Sequence, residues 1–345
     1  MNDTASGPES ASGDAYRLIG AEESPYSVKV RACLRYKSLP HQWLTRAQAP
    51  ALFQEHARLP LIPLLVTPDG RGLQDSTPII EALEADHPEP AIHPVDPVCR
   101  FVSELIEEFA DEWGNKWMFH YRWAREADQR ACSRRLAMLM LPDANAKQLD
   151  ETANTIRERM VDRVWFVGSS EQTAQQIEES FRDSLDLLEP HLAVRPYLFG
   201  GRPAFADFAL WGQLYNAFRD PTPNGLIRAR APHVAEWIER LHEPVAEGPF
   251  EGWHSLRRSL EPLLTDQLAG LFLPWSTANA RAIAEGEEEF TVRLRSGRWT
   301  QKPQKYHARS LADLQTRFAR TAADEELHEL LERTGILPFL KQAEA

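Results

Sequence analysis

Two serines in this chain stand where a negative group could be held. Ser24 directly precedes Pro25, and Ser76 follows Asp75 and precedes Thr77-Pro78. Serine before such a proline marks a helix start: the hydroxyl takes up an N–H with no partner inside the helix, and proline lacks that N–H anyway. The remaining free N–H groups and the positive end of the helix dipole favour an anion at such a start. Other chemistries find less support. Cys33, Cys99 and Cys132 share no CxxC or other short spacing, which excludes a disulfide scaffold and a cysteine-rich metal site. The eleven histidines contain no HExxH or HxxxH pair, so no metal is expected. Phe101, Leu105, Phe109, Trp113, Trp117 and Tyr121 recur every four residues. Such a stripe serves either as helix core or as the wall of a small-molecule cleft.

The elements that must position these residues change character along the chain. Tyr16 to Gly20 reads as a strand, and Ser24 opens a helix that Leu39-Pro40 ends. Within that helix Ser27 is expected on the surface and Cys33 in the core. His41–Leu44 is a second strand, Pro50–Arg58 a helical or irregular stretch, and Leu61–Thr67 a third strand. Pro68-Asp69-Gly70 is a turn before a short strand near Leu73, and Ser76 opens the next helix. The order is β-α-β-α-β-β-α. From Asp96 to about Leu264 the periodicity is nearly all helical: one long helix through the aromatic stripe to Pro142-Asp143, then helices over about 147–166, 170–189, 205–218 and 231–242. Beyond this, Phe290, Val292 and Leu294 alternate with polar residues as a half-buried strand, Ser296-Gly297 turns, and Trp299 to Ala308 is the candidate return strand. Helices follow from Ser310 and up to Thr334, with Gly335 as the stop. The six lysines and arginines over 291–309 read as a solvated face or as contacts to an anion.

At 345 residues, 43% apolar and 26% charged, the chain predicts two domains and an appendage. Its formal charge of −12 argues against nucleic acid or an anionic membrane as a main partner. Residues 1–15 (MNDTASGPESASGDA) have no cationic start or apolar stretch and read as a mobile tail, not a signal peptide. The apolar run Leu59–Val66 is short and broken by Pro60 and Pro63, so it does not span a bilayer. A cytoplasmic, reducing setting is expected.

Taken in order, Ser24-Pro25-Tyr26-Ser27, Ile62-Pro63, Asp75-Ser76-Thr77-Pro78-Ile79 and Phe205-Ala206-Asp207 make residues 16–245 resemble the glutathione transferase superfamily. The resemblance implies a thioredoxin-like α/β domain over 16–90, an all-α domain over 96–264, and an extension over 265–345. It also implies a homodimer, with glutathione as co-substrate bound at the domain junction. Ser76 would then hold the γ-glutamyl carboxylate, Asp75 the amine, and the backbone of Ile62, before a cis Pro63, the cysteinyl unit. Ser24 would donate to the sulfur while the dipole lowers the thiol pKa from about 8.5 toward neutral. Redox relatives carry cysteine at the Ser24 position, so its absence disfavours mixed-disulfide chemistry.

Two positions depart from the pattern. Leu61 stands where relatives often place a lysine or glutamine for the glycyl carboxylate, leaving His56 or Arg58 as substitutes. Ala204 replaces a capping Ser/Thr, so Asp207 alone reaches back to the start of its helix. The resemblance places an apolar electrophile between the loop before the first helix and the first long helix of the second domain. Tyr26, Trp113, Trp117, His120 and Tyr121 are the candidates, with Arg122 as a further polar group. The leading expectation is thus an enzyme that activates glutathione for attack on an apolar electrophile. The alternative is a non-catalytic binding or assembly module of the same fold.

Overall fold

Four strands and three helices build the first domain in the expected order. They are β1 (Tyr16–Ile19), α1 (Pro25–Tyr36), β2 (His41–Leu44), α2 (Pro50–His56), β3 (Leu64–Val66), β4 (Gly72–Gln74) and α3 (Ser76–Asp86). The computed structural model describes residues 15–321 and 323–341. The tail read over residues 1–15 lies, Ala15 aside, outside them. The sheet order is β2-β1-β3-β4, with β1 and β2 parallel and the other pairs antiparallel. Leu18 sits opposite Leu65, and Leu65 opposite Leu73, which sets the register from the buried face. This is a thioredoxin-like domain. Gly20, just past β1, has no room for a side chain: a Cβ there would lie 2.8 Å from Ser27 Cβ and from the Trp43 ring. Ser27 is therefore buried beneath the β1–α1 loop rather than on the helix surface.

The second part is helical. α4 (Pro97–Phe109), a π-wound turn (Ala110–Gly114) and α5 (Asn115–Ala124) run on as one helix. It stops at Arg125, whose backbone is extended (φ −123°, ψ 140°), and α6 (Glu126–Met140) starts afresh. The single helix expected up to Pro142 is thus two, because periodicity is blind to a one-residue break that restarts the helix at once. There follow α7 (Ala146–Val161), a 3-10 turn (Val164–Val167), α8 (Ala174–Leu192), α9 (Phe205–Phe218), α10 (Pro221–Arg230) and α11 (Pro232–Arg240). α12 (Trp253–Leu263), a second π-wound stretch (Leu264–Phe272) and α13 (Leu273–Glu285) again form one helix. The boundary drawn at 264/265 falls inside it.

The remaining elements are β5 (Phe290–Leu294), β6 (Gly297–Gln301), α14 (Lys305–Thr321), α15 (Glu325–Arg333) and α16 (Leu337–Leu340). β5 and β6 pair antiparallel, as the alternation predicts. α14 begins five residues before Ser310, and Tyr306 and His307 belong to it rather than to a strand. α14 lies along α4, with Phe318 against Phe101 at 5.7 Å.

The helical core is organised around α9, every residue of which is buried. Its start lacks a capping hydroxyl, and Asp207 compensates. Its Oδ2 accepts from the Ala204 N–H at 2.9 Å, and its Oδ1 accepts from the Leu198 N–H and Trp237 Nε1–H, each at 2.9 Å. Burial pushes this carboxyl from an ordinary 3.8 up to about 7, against those three donors. Between pH 4 and 7 the folded chain thus holds a proton that the unfolded chain has released. Stability should fall as the pH rises through that window, with a slope of up to about 1.4 kcal/mol per unit. Asp207→Asn should flatten that slope and cost about 1–3 kcal/mol at pH 7.5, because the amide cannot accept from all three donors. Melting curves of both proteins from pH 4 to 8 measure the difference.

Candidate functional site

Ser24 is the N-cap of α1, half-buried, and its Oγ accepts from the Ser27 N–H at 3.3 Å. No acceptor takes its own O–H among the described residues, so that proton is available to a ligand. The loop before it is clamped by arginines. Arg31 forms a bidentate pair with Glu22 at 2.7 and 2.8 Å, while Arg135 and Arg219 hold Glu23 at 3.0 and 2.9 Å. Arg122 donates to the Glu23 carbonyl at 3.0 Å and to Asp220 at 3.2 Å. It is buried structural support for Ser24, not a pocket group. α9 presses on the same place: a Cβ on Gly212 would lie 2.5 Å from the Pro25 carbonyl oxygen. Arg31 apart, these contacts come from residues about 100 to 200 positions away, and no local pattern marks them.

Below this start, Lys29 joins three helices. Its ammonium donates to Glu107 at 2.6 Å and Asp111 at 2.7 Å, and to Thr77 Oγ1 at 3.2 Å. Burial works against its charge, but Asp111 and Glu107 outweigh it and raise its pKa. Burial also pushes the Asp111 carboxyl up, with Lys29 opposing. Thr77 follows Ser76, so the ammonium sets α1 against the start of α3.

Ser76 is 1% exposed and its Oγ has no hydrogen-bond partner. Asp75 before it sits at φ 79°, which asparagine and aspartate tolerate better than other side chains. The Ile62–Pro63 peptide is cis. Gln74 fixes the strand of chain leading to it: Oε1 accepts from the N–H groups of Arg58 and Leu59, and Nε2 donates to the carbonyls of Leu59 and Leu61 at 2.7 and 2.8 Å. Ile62 lines a cavity of about 750 Å³ together with Ala21, Phe53, Leu59 and Met140. Among the described residues, the charged groups on its walls are Arg46 and Arg58. Arg46 lies over the Phe53 ring at 4.4 Å. Asp75 faces a second cavity, of about 380 Å³, toward α4 and α14.

Other expected residues lie elsewhere. His56 packs against Gly72 of β4 and, like Ser24 and Ser76, lines neither cavity, whereas Arg58 lines the first. Tyr26 is inside the domain junction, its hydroxyl donating to the Asp111 carbonyl at 2.9 Å and accepting from Asn115 at 3.2 Å. Trp113 and Trp117 are buried and both donate to Ser180 Oγ, at 2.8 and 3.0 Å. Trp113 packs on Trp275 and Trp299, and Trp117 on Phe109 and Phe181. Tyr121 is buried on Phe181, and His120 lies between Ser169 and Glu178 at 2.8 and 3.2 Å, its pKa lowered by burial. The aromatic stripe is core, not an electrophile pocket. Cys33 is core as expected, and burial raises its thiol to about 12, which leaves it no thiolate chemistry.

Trp117→Ala should therefore cost about 3–5 kcal/mol of stability, the usual range for emptying a buried indole site. Denaturant melts measure that loss directly.

Residues 18–91 match the family model of the glutathione S-transferase N-terminal domain, and residues 171–240 that of the glutathione S-transferase C-terminal domain. No curated protein matches the chain. Among solved structures, a glutathione S-transferase of Methylobacterium radiotolerans JCM 2831, in complex with glutathione sulfonate, is 24% identical. That match covers 66% of this chain and 90% of that one, with a TM-score of 0.41. A β-etherase of Sphingobium sp. strain SYK-6 is 19% identical over 72% of this chain and 99% of that one, with a TM-score of 0.45. A tau-class enzyme of mango, Mangifera indica, is 19% identical over 67% and 89%, with a TM-score of 0.40. Both domain models match in the order that the thioredoxin-like and helical parts take along the chain, and the chain belongs to the glutathione transferase superfamily.

Proposed function

We propose that this protein binds glutathione at the domain junction and activates its thiol for attack on an apolar electrophile. The observation that carries the reading is the first cavity. It reaches from Ala21, three residues before Ser24, to Ile62, and its lining is mostly apolar, with Thr45, Arg46, Gln54 and Arg58 as the polar side chains. A volume of about 750 Å³ suits a small-molecule site. In this reading the backbone of Ile62 pairs with the cysteinyl unit and Arg58, not His56, meets the glycyl carboxylate. Ser76, whose hydroxyl is buried and unpaired, takes the γ-glutamyl carboxylate with the N–H groups of α3, and Asp75 takes the amine. Ser24 donates its free proton to the sulfur. The thiolate then adds to an electrophile held between Phe53, Leu59 and Met140. Conjugation, dehalogenation and ether cleavage share this step. A homodimer and a cytoplasmic location belong to the same reading; no described helix is long and apolar enough to cross a membrane.

One observation favours a non-catalytic module instead: Leu61, where relatives often place a lysine or glutamine for the glycyl end, is 60% exposed and offers that carboxylate nothing. Titration calorimetry with glutathione separates the two, because a module without a thiol site gives no heat.

Ser24→Ala should raise the pKa of the bound thiol, read from thiolate absorbance against pH, with little change in affinity. Ser76→Ala should weaken glutathione about ten-fold or more, as expected for a lost hydrogen bond to a charged group. Met140→Asp should raise KM for an apolar electrophile several-fold while glutathione affinity holds. An unchanged thiolate titration in Ser24→Ala would remove the serine from the chemistry.

A further inference from the structure

The N-terminal end of α3 and the acidic face of α4 are covered by α14, a helix of the chain's own C-terminal extension. Tyr306, in the first turn of α14, donates to Asp75 Oδ2 at 2.6 Å. His307 contacts Glu112, Ser310 hydrogen-bonds to Glu108, and Arg317 pairs with Glu81 at 2.7 Å. α14 thus crosses the residue assigned above to the amine of the ligand. It does not fill the space there. The second cavity, of about 380 Å³, stays open between Asp75, Asp111, Tyr306 and Arg309.

The walls of that cavity carry both signs. On the acidic side, Asp111 is 7% exposed and its Oδ1 is buried without a partner. Asp75 keeps Oδ1 free while Tyr306 holds Oδ2. On the basic side, Arg309 has its nearest carboxylate, Asp313, only at 4.0 Å. The unpaired Ser76 Oγ follows Asp75 in the chain. Five further carboxylates and three further arginines line the same cavity, so a simple cation would meet guanidinium groups and a simple anion would meet carboxylates. A head group with one charge of each sign, set two bonds apart on one carbon, answers both.

We propose that α14 is a wall of the ligand site, and that Tyr306 and Arg309 recognise, together with Asp75 and Asp111, the zwitterionic α-amino-acid end of the ligand. The proposal rests on the glutathione reading above, since the γ-glutamyl group ends in such a head. Tyr306 fixes the Asp75 carboxylate so that its second oxygen is left for the ammonium. Arg309 adds to the N–H groups of α3 in holding the carboxylate. Tyr306 is a positioning residue and Arg309 a binding residue; neither reaches the sulfur.

Calorimetry with glutathione and with N-acetylglutathione, whose amine is a neutral amide, tests this on the full chain. In the unaltered protein, acetylation should cost about ten-fold or more in affinity. Tyr306→Phe should bind glutathione about ten-fold more weakly and lose most of that acetylation penalty, with an unchanged melting temperature. Arg309→Gln, at a side chain 85% exposed, should weaken glutathione without touching the acetylation penalty, and it keeps the test alive if Tyr306→Phe melts early. Equal or tighter glutathione binding by both variants, with the acetylation penalty intact in Tyr306→Phe, overturns the proposal; tighter binding would make α14 a cover over the site. An unaltered protein that takes up no glutathione overturns the functional reading itself, and this proposal with it.

Discussion

The ammonium of Lys29 decides where everything at the domain junction stands. It is buried with Glu107 and Asp111 at 2.6 and 2.7 Å and Thr77 beside it. Such a cluster is weak evidence for stability, because taking three charges from water costs several kcal/mol per ion before any attraction is counted. It is strong evidence for position. A buried charge must find its partners, and here they come from α1, α4 with its π-wound turn, and the second residue of α3. Sliding α1 or α4 by a turn would strand a charge, and sliding α3 would take the Thr77 hydroxyl from the ammonium. The two serines at the starts of α1 and α3 inherit their relative placement from this constraint.

The same carboxylates explain why the C-terminal extension is not a separable appendage. Glu104, Glu107, Glu108, Asp111 and Glu112 fall within nine residues of one helix, in a chain already at −12. Burial pushes the carboxyls of Glu104, Glu108 and Asp111 upward. Lys29 answers them from one side, and Ser310 and Arg317 from the other. α14 meanwhile buries Leu311, Leu314 and Phe318, with Phe318 meeting Phe101 of α4. The helix that covers the acidic face is therefore held by both polar and apolar contacts, and its first turn necessarily lies over Asp75.

What was legible in the sequence was local. The β-α-β-α-β-β-α order, the caps at Ser24 and Asp207, the β5–β6 alternation and the stop at Gly335 are each written in neighbouring residues. So were the candidate positions Ser24, Ile62, Asp75 and Ser76. What was not legible depended on partners far along the chain. The aromatic stripe of α4 and α5 has the same period whether it faces a cleft or a core, and the residues that make it core, Phe181, Trp275 and Trp299, lie 64 to 186 positions further on. His56 and Arg58 were interchangeable on paper. They are separated by the end of α2, which turns one toward β4 and leaves the other at the cavity. Tyr306 meets Asp75 across 231 positions, and nothing near either residue foretells it.

The two ends of the site are built to different stiffness. Ser24 stands behind two glutamates held by four arginines, and α9 packs on Pro25 so closely that Gly212 admits no side chain. A group that must keep hydrogen-bond distance to a reacting sulfur needs such support from packed neighbours. The apolar wall of the first cavity is made of a helix end and a loop. Leu59 sits before Pro63 and Met140 at the tip of α6, both more than half exposed. Methionine and leucine on such segments can repack at small cost, and segments with few buried contacts open locally well below the global stability. In the proposed reaction the sulfur is the constant partner and the electrophile the variable one. Rigidity falls on the side where the chemistry is fixed, and compliance where the shape of the second substrate has to be met.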